Sequence, residues 1–167
     1  NLRYFRGVKT VPLSTARNCA IEEASGMYIA LLDCDDLWLP TKLEEQIPLF
    51  EKDEQVGLVY SDSFLFNERG KEKRLFKIKK PYRGYIFSEL LTDTFVYTLT
   101  AVFRKKAFDN LGSYFDNRLT MVGDLDVYLR ILYEWKADYV DRPLVRYRIH
   151  SDSGTYNKGR KLITFEL

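Results

Sequence analysis

Apolar and polar positions fall in short blocks along this chain. Leu2 to Phe5 reads as a strand. Ser14 stands as N-cap for a helix over residues 15–24, with Ala16, Ala20, Ile21 and Ala24 on one face and Gly26 stopping it. Tyr28 to Leu32 is unbroken apolar sequence, which predicts a strand covered on both sides. Pro40 suits the first turn of a second helix, where Thr41 and Glu44 have capping-box spacing and Leu43, Ile47 and Phe50 point inward. Pro48 then predicts a kink or break.

Residues 56–66, VGLVYSDSFLF, predict a strand, and Asn67 to Gly70 a turn. A loop and short helix follow at 82–93, a strand at 99–104, and a helical stretch, KKAFDNLG, that ends at Gly112. Residues 122–134 show the most regular helical stripe: Val122, Leu125, Leu129 and Leu132. Lys136 to Ile149 alternates like a strand interrupted at Pro143. Strands and helices in this order predict an α/β architecture with a largely parallel sheet, formed by residues 1–167 as one domain.

Bulk composition narrows the field. The 167 residues carry 26 basic and 24 acidic side chains, a net charge of +2, which gives no support for bulk nucleic-acid binding. Aromatic content is 15%, with twelve tyrosines, enough for stacked or sugar-like ligands as well as a core. Two cysteines make no disulfide framework, so a reduced cytoplasmic setting is the expectation. No apolar run approaches membrane-spanning length and no secretory leader is visible. The opening at Asn1, inside strand-like sequence, reads as a piece of something longer.

ALLDCDDLWLP, residues 30–40, sets Asp33, Asp35 and Asp36 behind an apolar run. Ligands of open α/β sheets gather beyond the carboxyl ends of strands, which is where this turn falls. Carboxylates two apart can converge on one hard divalent cation such as Mg2+ or Mn2+, completed by water and substrate phosphate. They can equally cap the next helix and stay solvated. The triplet alone leaves both readings open.

Its surroundings are more specific. ARNCAIEEASGMYIALLDCDDLWLPTKLEEQ, residues 16–46, resembles the family-2 glycosyltransferases of GT-A fold, with their ARN helix, G-x-Y-I-x-x-L-D strand, D-x-D-D turn and W-x-P-x-K-L-E-x-Q segment. VGDLDVYLR, residues 122–130, is similar to that family's E-D-x-D-L-W-L-R motif, with Gly123 where glutamate is usual. The resemblance implies an inverting, metal-dependent transfer of sugar from a nucleotide-diphosphate donor to a glycan or lipid-linked acceptor. Polysaccharide or glycan synthesis at the cytoplasmic face of a membrane is the implied setting.

The resemblance also implies roles. Asp33 would face the donor ribose, Asp35 would hold the Mg2+ or Mn2+ ion, and Asp36 would bond backbone at the turn. Arg17 would lie near the donor phosphates, with a plain surface arginine as the alternative. Asp124 would be the general base, against the plainer reading of a first-turn acid favoured by the helix dipole. Asp126 and Arg130 would form a structural pair. His150 would approach the diphosphate or remain a polar surface residue. Trp38 either stacks on a sugar or buries its ring below the turn. Residues 69–80, RGKEKRLFKIKK, form either a solvated arm or a patch for anionic lipid head groups.

The departures matter as much. The family's opening P-x-Y-N and D-D-G-S strand ends, which hold base and ribose, have no counterpart here, so the isolated chain is expected to be inactive. A non-catalytic module of the same fold is the alternative. A D-x-D-x-T phosphatase is disfavoured because Leu37 stands where that chemistry needs threonine or valine.

Overall fold

The computed structural model describes residues 2–67, 72–119 and 122–149. Its elements run α1 (Leu13–Glu23), β1 (Tyr28–Ala30), β2 (Leu37–Trp38), α2 (Lys42–Lys52), β3 (Val56–Asn67), β4 (Glu72–Arg74), α3 (Phe87–Thr92), β5 (Val102–Arg104), α4 (Gly123–Leu132) and β6 (Lys136–Ile149). Single 3-10 turns lie at Leu75–Lys77, Thr98–Thr100 and Lys105–Phe108. One sheet forms in the order β1-β5-β3-β6-β2, with β4 added on β3.

The sheet is mixed rather than largely parallel. Only β3 and β6 run parallel, and the other pairings are antiparallel. The chain returns from α3 as β5, laid against β3 in the opposite sense, and reaches a parallel position only after α4. Residues 2–5 join no described strand, and Leu2, Tyr4 and Phe5 are exposed. Alternation without a neighbouring strand does not make a strand stable.

Successive residues of the central strands serve opposite faces. Leu58, Tyr60 and Phe103 join Val127, Tyr128, Ile131 and Leu132 of α4 and Leu90 of α3. Val56, Val59 and Val102 instead meet Phe50 of α2. Gly57 lets Trp135 lie directly on β3, because a Cβ there would stand 2.6 Å from the Trp135 Cβ.

Several local expectations shift. α1 starts one residue before Ser14, after Pro12 with φ −55°, so Ser14 is helical and makes no cap. α2 runs unbroken through Pro48 and buries Lys42, Gln46 and Phe50, while Leu43 is exposed. β6 continues through Pro143, where the ladder slips: Ser61 pairs Val140 but Asp62 pairs Pro143. That bulge takes up the proline's missing donor. On α4 the buried stripe is Val127, Tyr128, Ile131 and Leu132, one step round from the expected one.

Below the acidic turn lies a buried polar tie. Lys42 Nζ donates to Gln46 Oε1 at 2.6 Å and sits 4.8 Å from the Trp38 ring centroid. Gln46 Nε2 donates to the carbonyls of Val59 (3.1 Å) and Thr100 (2.9 Å). The segment WLPTKLEEQ therefore fastens the turn to β3 and to the approach to β5. Trp38 spends one ring face on the lysine.

Burial lowers the Lys42 ammonium from 10.5 to about 7. Its place in the first turn of α2, at the positive end of the helix dipole, acts in the same direction. Below pH 7 folded and unfolded chains both hold this proton, and the cost of burying the charge is present in full. Between about 7 and 10.5 only the unfolded chain holds it, so stability rises with pH by up to a few kcal/mol. Urea unfolding from pH 6 to 10 should show that rise in the native protein and a much flatter profile in Lys42→Met.

Candidate active site

Three elements converge where β1 ends. α1 brings Arg17, the turn after β1 brings Asp33, Asp35 and Asp36, and the first turn of α4 brings Asp124. Arg17 is the hub. Its NH1 donates to Asp124 Oδ1 at 2.6 Å, and its NH2 donates to both oxygens of Asp33 at 2.9 and 3.1 Å. Two carboxylates on one guanidinium stand within roughly 8 Å of each other. The plain surface reading of Arg17 is excluded: its side chain is 11% exposed and lies over the Phe115 ring. Burial alone would lower the Arg17 pKa, but Asp124 and Asp33 outweigh it and the net shift is upward.

Asn18, the next residue, holds the facing segment in place. Its Nδ2 donates to the Phe115 carbonyl at 2.9 Å, and its Oδ1 accepts from the Phe115 N–H at 2.8 Å. The ARN triplet thus spends its arginine on carboxylates and its asparagine on backbone.

The second oxygen of Asp124 has its own partner. Thr98 Oγ1 donates to Oδ2, and the Tyr128 hydroxyl donates to Thr98 Oγ1 at 3.0 Å. An ionised carboxylate only accepts, so the order of donors is fixed as tyrosine to threonine to aspartate. Full burial, then the nearby Asp124 charge, raises the Tyr128 pKa well above 10, which keeps the phenol a donor. Sequence reading missed Thr98 and Tyr128; nothing in the sequence joins residues 30 apart across a loop and a helix.

The three acids of the turn differ. Asp36 is 7% exposed, and its Oδ1 accepts from the Arg148 N–H at 2.9 Å, the backbone role expected of it. Burial, opposed by that hydrogen bond and reinforced by Asp35 and Asp33, raises its pKa from 3.8 to about 6. Arg148 Nε also donates to the Asp35 carbonyl at 3.0 Å, so β6 fixes the turn from two sides. The Asp35 side chain is half-buried.

Among the described residues no group of three His, Cys, Asp or Glu forms a metal cage. The turn still fits a hard cation of the Mg2+ or Mn2+ kind. Its donors are carboxylate oxygens, Asp35 and Asp33 add to the burial that raises Asp36, and such ions use one or two carboxylates plus water and phosphate.

Other sites fall out as follows. Asp126 pairs with Arg130 at 2.8 Å, and Arg130 also donates to the Ser113 carbonyl, so this pair is structural. His150 and residues 69–71 lie outside the described residues. Within 72–80, Arg74 pairs with the buried Asp62 at 2.5 Å, Lys79 pairs with Asp93, and Lys80 lies over the Tyr82 ring. Those three bases are used internally. No described helix is long and apolar enough to cross a membrane.

Comparison with known proteins gives the family and the fold. The family model for Glycosyl transferase family 2 matches residues 1–112, a stretch that ends before Asp124. An uncharacterized glycosyltransferase of Methanocaldococcus jannaschii is 30% identical over 151 residues, 87% of this chain and 50% of that protein. The Escherichia coli UDP-Glc:alpha-D-GlcNAc-diphosphoundecaprenol beta-1,3-glucosyltransferase WfaP is 48% identical over 50 residues, 30% of this chain and 20% of that one. The chain thus spans half, or less, of these relatives. Staphylococcus aureus TarS 1–349 in complex with UDP-GlcNAc superposes with a TM-score of 0.66 at 15% identity, over 87% of this chain and 41% of the 1–349 chain. The likeness to TarS shows a shared fold, the GT-A type that the sequence motifs implied.

The donor chain behind Asp124 makes a stability prediction. Thr98→Val strands the buried Tyr128 hydroxyl and removes a donor from Asp124, a loss of about 2–3 kcal/mol in urea unfolding. Adding Tyr128→Phe should recover part of that loss, so the double variant is less destabilised than the two single losses combined.

Proposed function

This chain belongs to glycosyl transferase family 2, and on that premise we propose that it carries the catalytic part of an inverting sugar transfer from a nucleotide-diphosphate sugar to an acceptor hydroxyl. The observation that supports this reading most is the Arg17 bridge, which joins Asp33 of the acidic turn and Asp124 through one guanidinium. The donor side is the turn, with Asp33 toward the ribose. The acceptor side is Asp124.

In the proposed step the acceptor oxygen bonds to the anomeric carbon as Asp124 takes its proton. The bond from that carbon to the diphosphate oxygen breaks, and its electron pair leaves with the nucleoside diphosphate. Attack opposite the leaving group inverts the anomeric configuration. A Mg2+ or Mn2+ ion held by Asp35 would supply charge neutralisation at the leaving diphosphate. Arg17 adds positive charge beside that position, and Thr98 with Tyr128 hold the Asp124 carboxylate in one orientation. His150 follows Arg148 and Ile149 on the same segment, and is proposed as a further phosphate contact.

UDP-GlcNAc bound to TarS and the diphosphoundecaprenol acceptor named for WfaP make a UDP-sugar and a polyprenyl-linked acceptor the first substrates to try. Such an acceptor would place the work at the cytoplasmic face of a membrane in polysaccharide synthesis. Contact of residues 69–80 with that surface is the weaker element of the proposal, because three of their bases already have internal partners.

In the full-length protein, Asp124→Asn should cut kcat for sugar transfer about a hundredfold or more with no rise in donor KM. Product mass and released nucleoside diphosphate are the readouts. Transfer that survives this substitution at native rate contradicts the catalytic reading and favours a binding module of the same fold. Chelation with EDTA should abolish transfer and added Mn2+ restore it, whereas Asp35→Asn should remain largely inactive at any Mn2+ concentration.

A further inference from the structure

Arg17 has more work than one side chain can do at once. Its NH1 is committed to Asp124 and its NH2 to both oxygens of Asp33. The guanidinium lies over the Phe115 ring, and Asn18 on the same turn is locked to the Phe115 backbone, so the Arg17 backbone is anchored and only rotation about its side-chain bonds can re-aim the guanidinium. The two carboxylates are open to solvent, at 42% and 37% exposure, whereas Arg17 between them is 11% exposed. An acceptor hydroxyl arriving at Asp124 meets one oxygen held by Thr98 and the other held by Arg17.

We propose that Arg17 is a donor-operated latch on Asp124. In the empty site it occupies the Asp124 Oδ1; a nucleoside diphosphate draws the guanidinium onto its phosphates and uncovers that oxygen for the acceptor. Sugar donor therefore binds first and acceptor second. This deepens the sugar-transfer reading and rests on it. A guanidinium matches a diphosphate as well as it matches carboxylates, and phosphate offers the larger charge. The ordering also has a use, because Asp124 is kept from an acceptor until there is a sugar to transfer.

Coupling of this kind is reciprocal. If the diphosphate takes Arg17 from Asp124, then removing the Asp124 charge must tighten diphosphate binding. With a merely structural bridge any tightening is charge repulsion alone and persists without Arg17.

The test is calorimetric titration of the full-length protein, with Mn2+ present, by UDP, GDP and dTDP, each beside its monophosphate. Asp124→Asn should tighten the best-binding diphosphate roughly fivefold to tenfold and leave the monophosphate unchanged. In an Arg17→Met background the same change should give about twofold or less, which separates the latch from general charge repulsion. Arg17→Lys, which keeps the charge but serves one carboxylate at a time, replaces Arg17→Met if that variant loses its circular-dichroism signature of folding. Diphosphate binding that is unmoved by Asp124→Asn overturns the latch alone. Tightening that persists in full without Arg17 also overturns it alone. Failure of all three diphosphates to bind overturns the donor reading together with the latch.

Discussion

A single guanidinium on α1 joins a carboxylate at the end of β1 to another at the start of α4, 107 residues away along the chain from Arg17. Without a cation between them, Asp33 and Asp124 would repel one another, with Asp35 and Asp36 adding to the same negative field. Burial acts to lower the Arg17 pKa, and the Asp124 and Asp33 charges turn the net shift upward. Much of the surrounding structure keeps that geometry in place. Asn18 fixes the backbone opposite α1, and Arg130 fixes the segment that leads into α4. Arg148 and Gln46 fix the turn from β6 and from α2.

The motif residues divide between chemistry and architecture, and the division follows burial. Lys42, Gln46 and Asp36 are buried, and each spends its polar atoms on neighbouring protein groups. Asp33, Asp35 and Asp124 keep part of their surface open, which leaves their oxygens accessible to a ligand. A D-x-D-D turn followed by W-x-P-x-K-L-E-x-Q is then one device. Two acids stay partly open, and the rest of the segment anchors the turn to its neighbours. Burial, with the Asp35 and Asp33 charges adding to it, raises the proton affinity of Asp36.

Much of this was legible in the sequence. The fold type, the pairing of the acidic turn with Asp124, and the Asp126–Arg130 pair all follow from local motifs. Failures came where non-local contacts decide. Pro48 and Pro143 read as breaks, yet helix packing on Phe50 carries α2 through the first and a bulge absorbs the second. Leu43 read as buried and is exposed, since Lys42 and Gln46 take the inner face by bonding to each other and to β3. The basic run of residues 69–80 read as free charge, but acids far along the chain, Asp62 and Asp93, claim two of its members. Thr98 and Tyr128 could not be found at all, because only the folded chain brings a loop hydroxyl under a helix-borne carboxylate.

The most direct measurement is a crystal structure of the full-length protein with a nucleoside diphosphate and Mn2+, read from the anomalous signal of the ion. The ion should sit at the Asp35 carboxylate, with Arg17 on a phosphate oxygen and Asp124 Oδ1 uncovered. An ion bound away from Asp35, or a diphosphate in place with Arg17 still on both carboxylates, would contradict the site described above.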